Sequence, residues 1–238
     1  MRLITVQFDY PREFHKPRYS SLLNRFRESV AEHMPGVRFE EHRIEAPGRV
    51  EGKEVAFVSN TVKLAHWVNE VRQAREPLIL ADCDMLAIGD ASVAFEHDFD
   101  VAYTVRTQPS RCPMNGGIMF VRPTAAAVRF FEAMHGVNRL MFNNPEFHEP
   151  WKKKYVGYNQ AAFGFLLETG QLHGAKVVAL PCRKYNAVDN DWAHIDGDTR
   201  FIHIKGALRQ AVLSKQIPSG KMAKAMNAWY AKPAAAVR

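Results

Sequence analysis

Two hydrophobic periods alternate along this chain, and that alternation constrains its fold more than any other feature. Short apolar runs with strand character lie at residues 3–8, 37–44, 55–59 and 78–81. Between them, residues 19–33 place Leu22, Leu23, Phe26 and Val30 at helical spacing, and residues 61–74 do the same with Val62, Ala65, Val68 and Val71. Alternate residues share a face in a strand, whereas a helix repeats every 3.6 residues. Pro35-Gly36 and Pro47-Gly48 mark breaks. Strands alternating with helices predict an α/β domain on a mainly parallel central sheet. In such sheets ligands bind beyond the carboxyl ends of the strands.

The second half is more mixed. Residues 100–105, 117–122, 176–180 and 201–204 read as strands, and 125–134 and 159–168 as helices. A loop is expected at 142–157, which contains Pro145, Pro150, Trp151 and three consecutive lysines. A Pro/Gly break at 218–220 precedes a last helix over 220–231, with Met222, Met226 and Trp229 at i, i+4 and i+7. That spacing predicts docking through the apolar stripe with the lysines outward. The chain therefore divides into a main domain, 1–217, and a basic C-terminal helix and tail, 218–238.

Composition narrows the function classes. With 238 residues and 47% hydrophobic content, the chain fits one large domain or a domain with an extension. No apolar run approaches the ~20 residues of a membrane span. The opening MRLITVQFDY enters a strand pattern directly and lacks the apolar core of a signal peptide. Cys83, Cys112 and Cys182 are odd in number and far apart, as expected for reduced thiols in a cytoplasmic protein. The net charge of +7 is uneven: from Lys205 onwards there are seven basic residues and no acidic one. Such an end suits a polyanion: a nucleoside diphosphate, a nucleic acid or an anionic membrane surface. No nucleic-acid-binding motif accompanies it.

The stretch PLILADCDMLAIGD puts Asp82 and Asp84 at the end of an apolar strand. Like charges two residues apart repel unless something positive lies between them. A divalent metal is the simplest such object, and magnesium or manganese prefers carboxylates, water and phosphates. Two chemistries use this arrangement. One is an aspartate-nucleophile phosphatase, in which the first carboxylate attacks phosphorus and the second handles the proton. The other is metal-dependent transfer from a sugar nucleotide.

Five segments in order favour the second. Lys63-Leu64 with Trp67 precedes DCD; Asn115-Gly116-Gly117 leads into IMFVRPT; Asn159-Gln160 opens a helix; Leu180-Pro181 precedes Tyr185-Asn186; and His203-Ile204-Lys205-Gly206 is followed by Arg209. Together they resemble GT-A glycosyltransferases of the family-eight group, which includes glycogenin and lipopolysaccharide galactosyltransferases, over about residues 3–209. The resemblance implies a Rossmann-like nucleotide-diphospho-sugar transferase fold, a donor that is a UDP-sugar, a manganese or magnesium cofactor and a retaining outcome. It implies Asp82, Asp84 and His203 as metal ligands, and Asp84, Asn159 and Gln160 as catalytic residues. Phe8, Asp9 and Tyr10 would hold the base. Lys63, Asp82, Lys205, Gly206 and Arg209 would meet the rest of the nucleotide. Asn115, Gly116, Asn159 and Gln160 would line the sugar and acceptor pocket. Asn159 stands where the family usually has aspartate, and an amide is neither nucleophile nor base. Asp189 or Asp191 is an alternative carboxylate, although a polar surface loop is the simpler reading of both. An inactive sugar-nucleotide-binding homologue is the third class. The acceptor is open: a carbohydrate, a lipid-linked sugar or a nucleic acid.

Overall fold

The computed structural model describes residues 1–10, 19–106 and 112–231. Strand β1 (Arg2–Asp9) leads to α1 (Ser20–His33), β2 (Arg38–Glu45), α2 (Val55–Gln73) and β3 (Leu78–Ala81). After β4 (Met85–Ala87) come β5 (Val101–Val105) and β6 (Met114–Val121). Three helices follow, α3 (Ala125–Asn143), α4 (Pro145–Lys154) and α5 (Tyr158–Glu168). The chain then runs through β7 (Val177–Pro181), α6 (Cys182–Tyr185), β8 (Phe201–His203), α7 (Gly206–Leu213) and α8 (Ala223–Tyr230).

The main sheet has the order β2-β1-β3-β6-β5-β7, and β4 pairs with β8 in a small second sheet. Only β6 runs against its neighbours, so five of the six strands share one direction. Core residues divide between the two faces. Ile4, Val6, Leu78 and Leu80 pack with Leu64, Trp67, Phe130 and Phe163 on the side of α2, α3 and α5. Leu3, Ile79 and Ala81 pack with Phe26, Val30, Met85 and Phe201 on the other. The alternation along β1 and β3 is that of strands buried on both sides.

Two expectations are corrected. Residues 55–59 are not a strand but the opening of α2, because Glu54 is extended and nothing between Ser59 and Thr61 stops the helix. Val58 is buried in that first turn. Residues 142–157 are not a loop. Helix α3 continues to Asn143, and the Asn144 side chain accepts from Phe147 N at 3.0 Å, capping α4. Pro145 occupies its first position, where the missing N–H costs nothing. Trp151 packs edge-on to Phe165, 5.2 Å between centroids, which holds α4 on α5.

The last helix docks on α7 and α1. Met226 and Ala225 are buried with Leu22, Trp192, Leu208 and Val212, and Met222 and Trp229 are partly covered. Lys221 and Lys224 are exposed. No helix among the described residues is long and apolar enough to cross a membrane.

Candidate active site

The carboxyl ends of β1 and β3, the turn after β3 and the amino end of α5 surround a cleft of about 490 Å³. Asp82 and Asp84 lie not on a strand but in the turn between β3 and β4. The turn still aims both carboxylates at one point. His203 Nε2 is 3.8 Å from Asp82 Oδ2 and 3.2 Å from Asp84 Oδ1. The three ligand atoms lie within 4.8 Å of one another. Asp84 is the more buried carboxylate, 8% exposed against 27% for Asp82.

The histidine is held for this task. Asn186 Nδ2 donates to Thr104 Oγ1 at 2.9 Å and to Asn115 Oδ1 at 3.1 Å. Its Oδ1 is then left to accept from His203 Nδ1 at 3.2 Å. That bond engages Nδ1, so Nε2 is the ring atom that would face a bound ion, as second partners of metal-binding histidines commonly arrange. Two carboxylates and a neutral imidazole suit manganese or magnesium. The residues therefore fit the divalent ion that the resemblance implies.

Cations balance the carboxylates. Lys63 is buried, forms an ion pair with Asp82 and has its ammonium 4.5 Å from the Trp67 ring centroid. Arg209 Nη1 donates to Asp84 Oδ2 at 3.1 Å and to Tyr19 OH at 2.8 Å. Burial works against the Asp84 charge, yet His203 and then Arg209 hold its pKa below the ordinary value. Between the aspartates, burial pushes the Cys83 thiol well up, so it stays protonated. Arg106 and Lys205 share Asp189, at 2.5 and 3.6 Å from its Oδ2. Asp189 is thus a counter-ion to cleft cations, while Asp191 is buried.

Phe8 and Tyr10 line the cleft at the end of β1, and Tyr10 OH donates to Ser59 Oγ at 2.6 Å. Asp9 lies between them on the opposite side of the strand, exposed and away from the cleft lining. Lys63, Asn115, Gly116, Asn159, Gln160, Lys205 and Arg209 all line the cleft. Gly206 does not line it; it opens α7 at φ +53°, a backbone conformation that glycine adopts without strain. Asn159 is a cross-tie. It accepts from Asn138 Nδ2 and donates to Asn60 O, both at 2.7 Å, joining α5 to α3 and α2. Gln160 Oε1 accepts from Gly116 N at 2.9 Å, and its Nε2 donates to Cys112 Sγ at 3.0 Å.

Several cleft residues escaped the sequence reading. Ser59 and Asn60 were hidden by the strand assignment at 55–59. Arg106 follows directly on β5, at the kind of strand end where ligands bind, which was a usable signal. Tyr19 had none.

A mostly parallel sheet with a strand-end Asp-x-Asp turn, a converging histidine, and aromatic and basic side chains lining one cleft is the arrangement of a GT-A glycosyltransferase. The chain belongs to the nucleotide-diphospho-sugar transferase family, whose model matches residues 47–208. No curated protein sequence is a significant match. The fold is similar to that of a glycosyltransferase involved in glycosylation of the major capsid of PBCV-1. That likeness has TM-score 0.59 and 14% identity over 88% of this chain and 96% of that one. It is also similar to the galactosyltransferase LgtC, solved with donor and acceptor sugar analogues (TM-score 0.53, 10% identity, 87% and 88% covered). A third similar fold is the glycosyltransferase GlyE of Streptococcus pneumoniae TIGR4 (TM-score 0.52, 10% identity, 86% and 55% covered). Family membership removes the phosphatase reading.

Proposed function

We propose that the cleft binds a UDP-sugar with a divalent ion, manganese or magnesium, and transfers the sugar with retention to a carbohydrate acceptor. The observation that carries this reading is the convergence of Asp82, Asp84 and His203 in the cleft floor. When bound there, the ion supplies a Lewis acid for the charge that grows on the leaving diphosphate.

The chain's own residues do the rest. Phe8 and Tyr10 give the base a stacking surface, worth ~1–3 kcal/mol per base. Lys63, Lys205 and Arg209 make charge-assisted contacts with phosphate oxygens. Arg106 joins them as a fourth cation that lines the cleft. Asn115, Gly116 and Gln160 present donors and acceptors to sugar hydroxyls. Among the described lining residues, the only carboxylates are Asp82 and Asp84, the ion's own ligands. With those two carboxylates engaged by the ion, the departing phosphate oxygen takes the acceptor's proton in this reading. Attack then comes from the face the diphosphate leaves, which retains configuration. Asn159 takes a positioning role, tying α5 to α3 and α2 across the back of the cleft lining.

Calorimetry of UDP with manganese and with chelator, together with donor-sugar hydrolysis by Asp84→Asn, tests the reading. Chelation should weaken UDP binding, and Asp84→Asn should lower turnover by ~10²-fold or more, as removal of a principal electrostatic stabiliser does. Equal UDP affinity with and without metal, or parental turnover in the variant, overturns it.

A further inference from the structure

A second cluster of metal-ligating side chains lies outside the cleft lining, where edge strand β2 meets α2. His42 Nδ1 and His66 Nε2 are 2.6 Å apart. Glu70 Oε1 is 3.6 Å from the first and 3.7 Å from the second. His66 and Glu70 are i and i+4 on α2, so they share a helix face. His42 reaches them from the neighbouring strand. In a tetrahedral site with metal–nitrogen bonds of ~2.0–2.1 Å, ligand atoms stand ~3.3 Å apart. Glu70 Oε1 stands near that value from both rings, whereas the two nitrogens share a hydrogen bond at 2.6 Å and would part to hold an ion. The side chains are 25%, 25% and 14% exposed, so an ion and a completing water can reach them.

We infer that His42, His66 and Glu70 form a second divalent-metal site, with zinc as the ion that its donor set favours. Two imidazoles and one carboxylate are a softer set than the two carboxylates and one imidazole of the cleft, and imidazole suits zinc where carboxylate suits manganese or magnesium. The surroundings hold the ligands in place. Arg2 Nη2 donates to Glu70 Oε2 at 2.8 Å, which leaves Oε1 facing the rings. Arg2 Nε also contacts both Glu40 oxygens at 3.0 Å, and Glu40 Oε2 stands 3.7 Å from His42 Nε2, the ring nitrogen turned away from the site. A bound ion would tie α2 to β2, and α2 also carries Ser59, Asn60 and Lys63 into the cleft.

The inference does not depend on the donor-sugar reading. It is tested by titrating zinc against a chromophoric chelator with the full chain, as parent, His42→Ala, His66→Ala and Asp84→Asn. Circular dichroism checks folding, and Glu70→Gln replaces either histidine variant that does not fold. One zinc equivalent should survive in Asp84→Asn. It should be lost, or weakened at least ~100-fold, in the histidine variants, since even outer partners cost 10–100-fold. No zinc bound by the parent, unchanged stoichiometry and affinity in the histidine variants, or loss confined to Asp84→Asn overturns it.

Discussion

Gly117 decides how closely His203 can approach the aspartates. A Cβ at this position would stand 2.5 Å from His203 Cε1, 2.6 Å from Nδ1 and 2.9 Å from Asn115 Oδ1. None of these atoms is the free end of a flexible chain, because Asn186 and the Gly117 amide hold both side chains. Gly117→Ala should therefore push the imidazole off its position, costing about 1–3 kcal/mol as overpacking does. It should also weaken metal-dependent UDP binding by at least ~10-fold, as loss of a ligand's support does. Thermal denaturation and calorimetry with manganese check both, and a variant with parental values would show that the ring has room to move. At this scale the sequence revealed groups whose chemistry is unusual for their place. Two aspartates ending an apolar run are conspicuous by charge alone. His203 became a ligand candidate only through the order of segments in the family resemblance. The role of Asn186 as its partner was not legible, because it depends on Thr104 and Asn115 arriving from other strands.

Elements were legible where their hydrophobic period was unambiguous, as in α1 and β3. They were misread where the period was too short to choose or where proline was taken as a break. Residues 55–59 fit either state until the tertiary packing of Val58 is known, and Pro145 starts a helix where it was read as preventing one. The pairing of β1, β2 and α2 makes a prediction about acid. The Arg2 guanidinium, and then Arg38, hold the Glu40 carboxyl at about 2, below its ordinary 4.5. A carboxylate with a depressed pKa stabilises the fold fully above its unfolded value and loses that contribution as pH falls to the folded one. Glu40→Gln should thus be less stable than the parent at neutral pH, with the gap closing between about 4.5 and about 2. Urea midpoints measured across that window check it; a gap that stays constant with pH removes Glu40 from the acid response.

For the molecule as a whole, the predicted α/β class and mostly parallel sheet follow from the alternation, whereas the reversed β6 does not. Strand direction is set by connection, and only the eight residues 106–113 separate β5 from β6, fewer than the roughly a dozen a parallel crossover needs. The C-terminal segment tests how far the main domain stands alone. Met226 and Ala225 complete a cluster with α1 and α7, and Arg25 donates to Trp229 O at 3.3 Å and Ala231 O at 2.9 Å. Truncation after Ile217 should cost at least the burial of Met226, about 2–5 kcal/mol on the scale of Met→Ala changes. A denaturation midpoint unchanged by truncation would make the segment an independent tail. The two borders of the main sheet carry a further consequence. Strand β2 opens one border with Arg38, Glu40, Glu41, His42 and Arg43, cross-linked as Arg38–Glu40 and Arg43–Glu41 at 2.7 and 2.6 Å. Strand β7 closes the other in Pro181, which has no N–H to offer. A foreign strand seeking to add at either end would have to strip water from an ion-pair lattice or meet a missing donor. Such borders keep a sheet from templating its own aggregation while the chain is crowded or still folding.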